Sequence, residues 1–124
     1  MIKIYSKKGC KSTQQSLNWF EKYRIKIDIC NINQISKSDI IDLLCLSDRG
    51  VDSIVKKSSR TNPKNRERLK SLEEMNFNEC VDYLIRYPKL LQTPIVIGEK
   101  KYLVGYDINE IRQFLPNKYR RKKL

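Results

Sequence analysis

Cys10 is the residue of this chain best placed to do chemistry. It stands behind Gly9, between the alternating run Met1–Tyr5 and a helical pattern that begins at Lys11. A thiol at a helix start meets unpaired amide N–H groups and the positive end of the helix dipole, and both favour its thiolate. Lys7, Lys8 and Lys11 add positive potential. Position 13, where a second cysteine would complete a Cys-x-x-Cys redox pair, holds Thr13. Its hydroxyl can donate a hydrogen bond to a thiolate but cannot form a disulfide. The competing reading of Cys10 is an ordinary cysteine at a loop–helix junction.

The remaining chemistry is narrow. The chain has no histidine, which removes the commonest general base, the usual catalytic zinc ligand and the Ser/His and Cys/His mechanisms. The four cysteines, at 10, 30, 45 and 80, are too far apart for a zinc site and read as thiols in a reducing compartment. Cys45 and Cys80 fall on or beside apolar helix stripes and are expected in the core. Cys30 follows the Ile25/Ile27/Ile29 face by one residue and points the other way.

Charge is the second signal. Lys and Arg number 26 against 14 Asp and Glu, a formal charge of +12. Such a surface attracts polyanions, either nucleic acid or acidic protein. The excess concentrates between Lys56 and Lys70, where Lys56, Lys57, Arg60, Lys64, Arg66, Arg68 and Lys70 face only Glu67, and again in Lys118–Lys123. These are candidate phosphate contacts, which position a protein on nucleic acid without reading bases. The plainer reading of either run is a solvated face on a lysine-rich protein.

The elements that must position these residues follow from periodicity. Met1–Tyr5 predicts a strand, Lys11–Lys22 a helix, and Arg24–Asn31 a second strand with Ile25, Ile27 and Ile29 on one face. Ser36 or Ser38 caps a helix carrying Ile40, Leu43 and Leu44, which Arg49-Gly50 ends. A short helix over Asp52–Lys57, a polar loop over Ser58–Arg66 and a basic helix over Arg66–Leu72 come next. Another helix starts after Asn76 or Asn78 and stops at Pro88. Pro94–Ile97, a turn at Gly98–Lys100 and Lys101–Val104 form a hairpin. Asp107 caps a last helix through Ile108, Ile111 and Phe114, stopped by Pro116.

This order, β-α-β, a helical block, then β-β-α, is an α/β plan. It predicts a thioredoxin-like domain, with a mixed sheet flanked by helices, from residues 1–35 and 88–117. An inserted helical lobe spans 36–87 and a basic tail 118–124. The N-terminal β-α-β unit calls for a right-handed crossover between parallel strands. Thr93-Pro94 precedes a strand, where thioredoxin-like folds carry a cis-proline facing the redox helix start, so Pro94 is a structural cis-proline candidate. No apolar run reaches the ~18 residues of a membrane span and no signal peptide is visible, so a cytoplasmic location with no membrane contact is expected.

Together these residues resemble the Spx/ArsC family, and within it the Spx-type RNA polymerase-binding transcriptional regulators of low-GC Gram-positive bacteria. The resemblance covers about residues 1–118. It rests on Ile2–Tyr5 with Cys10, Ile40–Leu44 with Asp48-Arg49-Gly50-Val51-Asp52, Tyr87-Pro88-Lys89-Leu90-Leu91, and Pro94–Ile97 with Glu99-Lys100. Most specific are Val104-Gly105-Tyr106 and Glu110-Ile111-Arg112-Gln113-Phe114-Leu115-Pro116. The resemblance implies a non-enzymatic regulator, monomeric when free, that needs no cofactor or metal. It would bind the C-terminal domain of the RNA polymerase α subunit and, in that complex, promoter DNA in a stress response. Gly50 matches the family glycine at the α-subunit contact, flanked by Arg49 and Asp52, and a glycine lets two backbones approach closely. Lys64 stands near the family position that reaches promoter DNA, with Lys56, Lys57, Arg60, Arg66 and Arg68 as the other DNA-contact candidates.

Three departures from the family matter. Cys10-Lys11-Ser12-Thr13 replaces the redox Cys-x-x-Cys, so regulation is either redox-independent or senses Cys10 by another chemistry such as a mixed disulfide. Gln92-Thr93 stands where the family has Arg-Arg, and in arsenate reductases an arginine there helps to hold the oxyanion. Arg120–Leu124 is shorter than the tail that delivers family members to the Clp protease. The alternative reading is an enzyme: a single-cysteine arsenate reductase or glutaredoxin-like thiol oxidoreductase with Cys10 as nucleophile and Arg60 or Arg112 as anion ligands. A bare nucleic-acid binder is a third.

Overall fold

The computed structural model describes residues 1–47 and 49–116. The first strand, β1 (Ile2–Ser6), leads through a turn at Gly9 into helix α1, Lys11–Lys22, with the bounds its sequence predicts. Thr13, Ser16, Trp19 and Phe20 form the buried face of α1. The helix closes in a Schellman arrangement: the Arg24 N–H bonds the Glu21 carbonyl at 3.0 Å and the Ile25 N–H bonds the Phe20 carbonyl at 3.0 Å. Arg24 takes the left-handed position at φ 53°. Arg24 and Ile25 therefore belong to the helix end, and the second strand, β2, runs Ile27–Asn31 instead of starting at Arg24.

β3 (Ile95–Gly98) and β4 (Lys101–Val104) complete a sheet of order β2-β1-β3-β4. β1 and β3 are antiparallel with Ile4 opposite Val96 and Tyr5 opposite Ile95. β3 and β4 are antiparallel with Gly98 opposite Lys101, so the connecting turn is Glu99-Lys100 and Gly98 is a strand residue. A Cβ on Gly98 would stand 3.1 Å from Phe114 Cε1, which explains a glycine in that strand.

The last segment is a 3-10 helix, Glu110–Phe114, not the α-helix expected from Asp107 onward. The Asp107 carboxylate accepts from the Asn109 and Glu110 N–H groups at 2.8 and 2.9 Å. Ile108, the residue after Asp107, is left 64% exposed. The threefold repeat still turns Ile111 and Phe114 to one side. They join Ile4, Trp19, Phe20, Val96, Leu103 and Leu115 in one apolar cluster. Trp19 meets Phe20 edge-on at 5.1 Å.

The chain divides into two compact units, residues 1–29 with those from Thr93 onward, and Cys30–Gln92. Pattern alone placed the junctions at 35/36 and 87/88. The second unit takes in Ile32, Ile35, Leu90 and Leu91, all buried. Its helices are α2 (Lys37–Leu46), α3 (Pro63–Leu72) and α4 (Phe77–Arg86). Each has a side-chain cap: Ser36 to Asp39 N, Asn62 to Asn65 N, and Asn76 to Glu79 N, the last with Glu79 returning a bond to Asn76 N. Pro63 at the first turn starts α3 three residues before the expected Arg66.

Residues Asp52–Lys57 do not form the expected short helix. Gly50–Ser53 is a 3-10 turn, and then Val55 bridges antiparallel to Leu91. The Lys56 N–H bonds the Leu90 carbonyl at 2.8 Å and the Gln92 N–H bonds the Ile54 carbonyl at 2.9 Å. Cys80 is buried as expected, but Cys45 is exposed. The core face of α2 is Ile40 and Leu43, and Cys45 lies about 200° around the helix from Leu43. The tail Lys118–Lys123 lies outside the described residues.

Phe20→Ala should cost about 3–5 kcal/mol, because it removes a fully buried ring from the first unit. Urea unfolding followed by the fluorescence of Trp19, the one tryptophan of the chain, reads this directly. Asn76→Ala should cost about 1 kcal/mol by loss of the α4 cap, seen in the midpoint of far-ultraviolet circular dichroism.

Candidate functional site

Two places hold the residues singled out from sequence, one in each unit. In the first unit Cys10 is the N-cap of α1, with an extended backbone at φ −80° and ψ 117°. The turn before it is fixed by the Cys10 N–H bonding the Lys7 carbonyl at 3.2 Å and by Gly9 at φ 80°, a region open to glycine. The antiparallel register of β1 with β3 brings the start of α1 to the segment before β3. There the Thr93 hydroxyl donates to Cys10 Sγ at 3.5 Å, and Sγ–H reaches the Thr93 carbonyl at 3.7 Å. The Thr93-Pro94 peptide is cis and Pro94 is buried.

Partial burial pushes the Cys10 thiol up, and this is the largest single influence. The hydroxyls of Thr13 and Thr93 and the amides of Thr13 and Ser12 act against it, and together they leave the pKa below its ordinary value of 9.0. Thr13 is 6% exposed, and its hydroxyl is the one buried side-chain oxygen without a hydrogen-bond partner among the described residues.

The site can therefore hold a nucleophilic thiolate. The groups that perturb Cys10 are hydroxyls and amides, with no arginine or lysine among them in the described residues. Arg112 is exposed on the Glu110–Phe114 turn, and Arg60 lies in the other unit. Gln92 is occupied within the helical unit, its Nε2 donating to the Val55 carbonyl at 2.8 Å. The sequence motif did not announce Thr93 as a thiol partner.

In the helical unit Gly50 does not cap α2, which ends four residues earlier at Leu46 with Ser47 as its C-cap. It opens the next turn at φ 62°, and a Cβ placed there would meet nothing within 4 Å. Its carbonyl accepts from the Ser53 hydroxyl at 2.8 Å and lies 3.2 Å from the Ser47 hydroxyl, so the turn is held from both sides. These serines were not singled out from sequence. Arg49 and Asp52 flank the turn and are exposed.

The basic residues do not form one face. Lys56, Lys57 and Arg66, with Lys70, line a groove of about 510 Å³ that also includes Asp52. Arg60 and Lys64 are exposed and lie near the start of α3, against which the Ser58–Arg60 turn packs. Arg68 is drawn inward: its guanidinium stacks 4.1 Å from the Tyr87 ring centre, and Nη1 donates to Asn65 Oδ1 at 3.3 Å. Among the described residues no three metal-binding side chains converge, and no helix is long and apolar enough to cross a membrane.

Comparison with known proteins gives one consistent result. Residues 5–114 match the model of the ArsC family. The chain is 32% identical over its full length to a protein named global transcriptional regulator Spx from Listeria innocua, of which it covers 94%. To the protein of that name from Streptococcus pneumoniae it is 29% identical over its full length, covering 92%. Among solved structures, one from Staphylococcus aureus superposes with TM-score 0.79 at 14% identity, covering 94% of this chain and 100% of that one. An arsenate reductase from Vibrio cholerae superposes with TM-score 0.67 at 16% identity, covering 90% and 92%. These likenesses show a shared thioredoxin-like fold.

Thr93→Val should raise the Cys10 pKa towards 9.0, because the hydroxyl that favours the thiolate is lost. The sign follows from linkage: with a depressed folded pKa, the stabilisation is present at alkaline pH and is lost as pH falls through the folded value. Peptide-level mass spectrometry of iodoacetamide labelling against pH should show the Cys10 midpoint move upward in the variant.

Proposed function

This chain belongs to the ArsC family, and within it we propose that it works as a Spx-like transcriptional regulator, in the cytoplasm and without catalysis. The Gly50 turn is the observation that carries this reading. It presents bare backbone at a left-handed position with open space around it, the arrangement a close backbone-to-backbone contact uses. The partner proposed for it is the C-terminal domain of the RNA polymerase α subunit, with Arg49 and Asp52 supplying polar contacts at the rim. In that complex Arg60 and Lys64, beside the positive end of α3, are proposed to meet promoter phosphates, with Lys57 next to them. Arg68 is left out, since its guanidinium is already engaged by Tyr87 and Asn65. The binding should be indifferent to oxidants, because Thr13 cannot close a disulfide with Cys10.

A second reading is supported by the depressed pKa of Cys10: a single-cysteine thiol oxidoreductase of the arsenate-reductase type. The absence of an arginine among the groups acting on Cys10, in the described residues, weighs against oxyanion binding. Arsenate-dependent oxidation of glutathione by the purified chain would establish that reading in place of the first.

Gly50→Arg should abolish binding to the isolated α C-terminal domain in calorimetric titration, with and without diamide. The chain should stay folded, because the added side chain meets open space and a left-handed non-glycine residue costs only about 1–2 kcal/mol. Normal binding by a folded Gly50→Arg variant would exclude the proposed contact. With the α domain present, Arg60→Ala and Lys64→Ala should each weaken binding to unrelated promoter sequences alike. Each should also reduce the slope of log affinity against log salt by about 1.

A further inference from the structure

The groove in the helical unit is built for more than phosphate. Its apolar lining is Val51, Val55, Leu69 and Leu72, of which Val55 and Leu72 are buried. Its charged lining is Lys56, Lys57, Arg66 and Lys70 with Asp52 and Glu73. A nucleic-acid backbone is ionic and hydrated, so it uses the cations of such a surface but leaves the apolar lining uncovered. A helix with an apolar stripe flanked by carboxylates uses both: the stripe packs on the apolar lining and the carboxylates meet the lysines and arginine. Arg66 and Lys70 are four residues apart on α3 and both line the groove, so they stand one turn apart along that helix. That spacing matches carboxylates at i and i+4 on a helix lying beside it.

Charge also decides the class of occupant. The chain's own tail, Lys118–Lys123, and a second copy of the +12 chain both bring the wrong sign to these cations. We propose that this groove is a docking site for an acidic amphipathic helix of a partner protein. The groove adjoins the Gly50 turn and shares Asp52 with the contact proposed there, but the docking proposal stands whether or not the polymerase reading holds.

The test uses the full chain and a fluorescein-labelled, lactam-stapled peptide with a leucine stripe, glutamates on both flanks and alanine elsewhere. Fluorescence anisotropy is read at about 150 mM salt, where charge attraction alone is screened beyond roughly 8 Å. The striped peptide should bind. A scrambled peptide of equal composition and a lysine-flanked version should each bind at least about tenfold more weakly. Arg66→Glu and Lys70→Glu, both at exposed side chains, should each weaken the striped peptide about fivefold or more. Lys64→Glu, exposed and outside the groove, should change it less than about twofold. Circular dichroism confirms that each variant is folded.

The proposal is overturned if the striped peptide does not bind, if the scrambled peptide binds equally well, or if Lys64→Glu acts as strongly as Arg66→Glu. It is likewise overturned if Arg66→Glu abolishes binding of a duplex DNA probe but leaves the striped peptide bound, which would give the groove to nucleic acid.

Discussion

The antiparallel register of β1 against β3 is the constraint from which the first unit follows. Ile4 faces Val96 and both are fully buried, so a slip by one residue would turn core side chains away from the apolar cluster. The same register puts the end of β1 beside the beginning of β3. Whatever follows β1 must then meet whatever precedes β3. That is why Cys10 and Thr93, 83 residues apart, share a hydrogen bond. The chemistry of the thiol is thus a consequence of how the core is packed, and the local tendency of a helix start to favour a thiolate is strengthened by a hydroxyl from a distant segment.

The helical unit obeys a different logic. Its three helices start at side-chain caps that sequence can specify within a few residues. Between α2 and α3 the chain is held by the serine hydroxyls around the Gly50 carbonyl, by the backbone bonds of Ile54–Lys56 to Leu90–Gln92 and by the burial of Ile54 and Val55. An exposed turn with a fixed backbone carbonyl and no side chain at its left-handed position is well suited to contact another backbone. Rigid elements place it, and little has to be ordered on binding.

Charge distribution adds a separation that net charge conceals. Periodicity puts Arg66 and Lys70 on one side of α3 and Lys64 and Arg68 on another. The first pair lines the groove, Lys64 is left to solvent, and Arg68 serves the fold by stacking on Tyr87. One basic stretch in the sequence therefore has three physical fates. A count of cations cannot distinguish them, because an arginine beside an aromatic ring and an arginine in solvent are identical in composition.

The sequence by itself determined what depends on near neighbours. It set the bounds of α1, the starts of α2 and α4 to one of two caps each (Ser36 or Ser38, Asn76 or Asn78), the hairpin of β3 and β4, the lack of histidine chemistry, and a helix-start cysteine followed by Thr13 where a disulfide partner would stand. Its errors were also local. Arg24 in a left-handed helix end, Gly98 beside Phe114, Cys45 off the buried stripe and Ile108 ahead of a 3-10 helix each turned on a contact or phase that periodicity does not encode. Tertiary structure alone decided that Thr93 meets Cys10, that Arg68 meets Tyr87, and that Val55 and Leu72 line one groove with Lys56, Lys57, Arg66 and Lys70. Caps and periods act over three or four residues. The meeting of distant side chains is settled by strand register and by which apolar faces can be buried together.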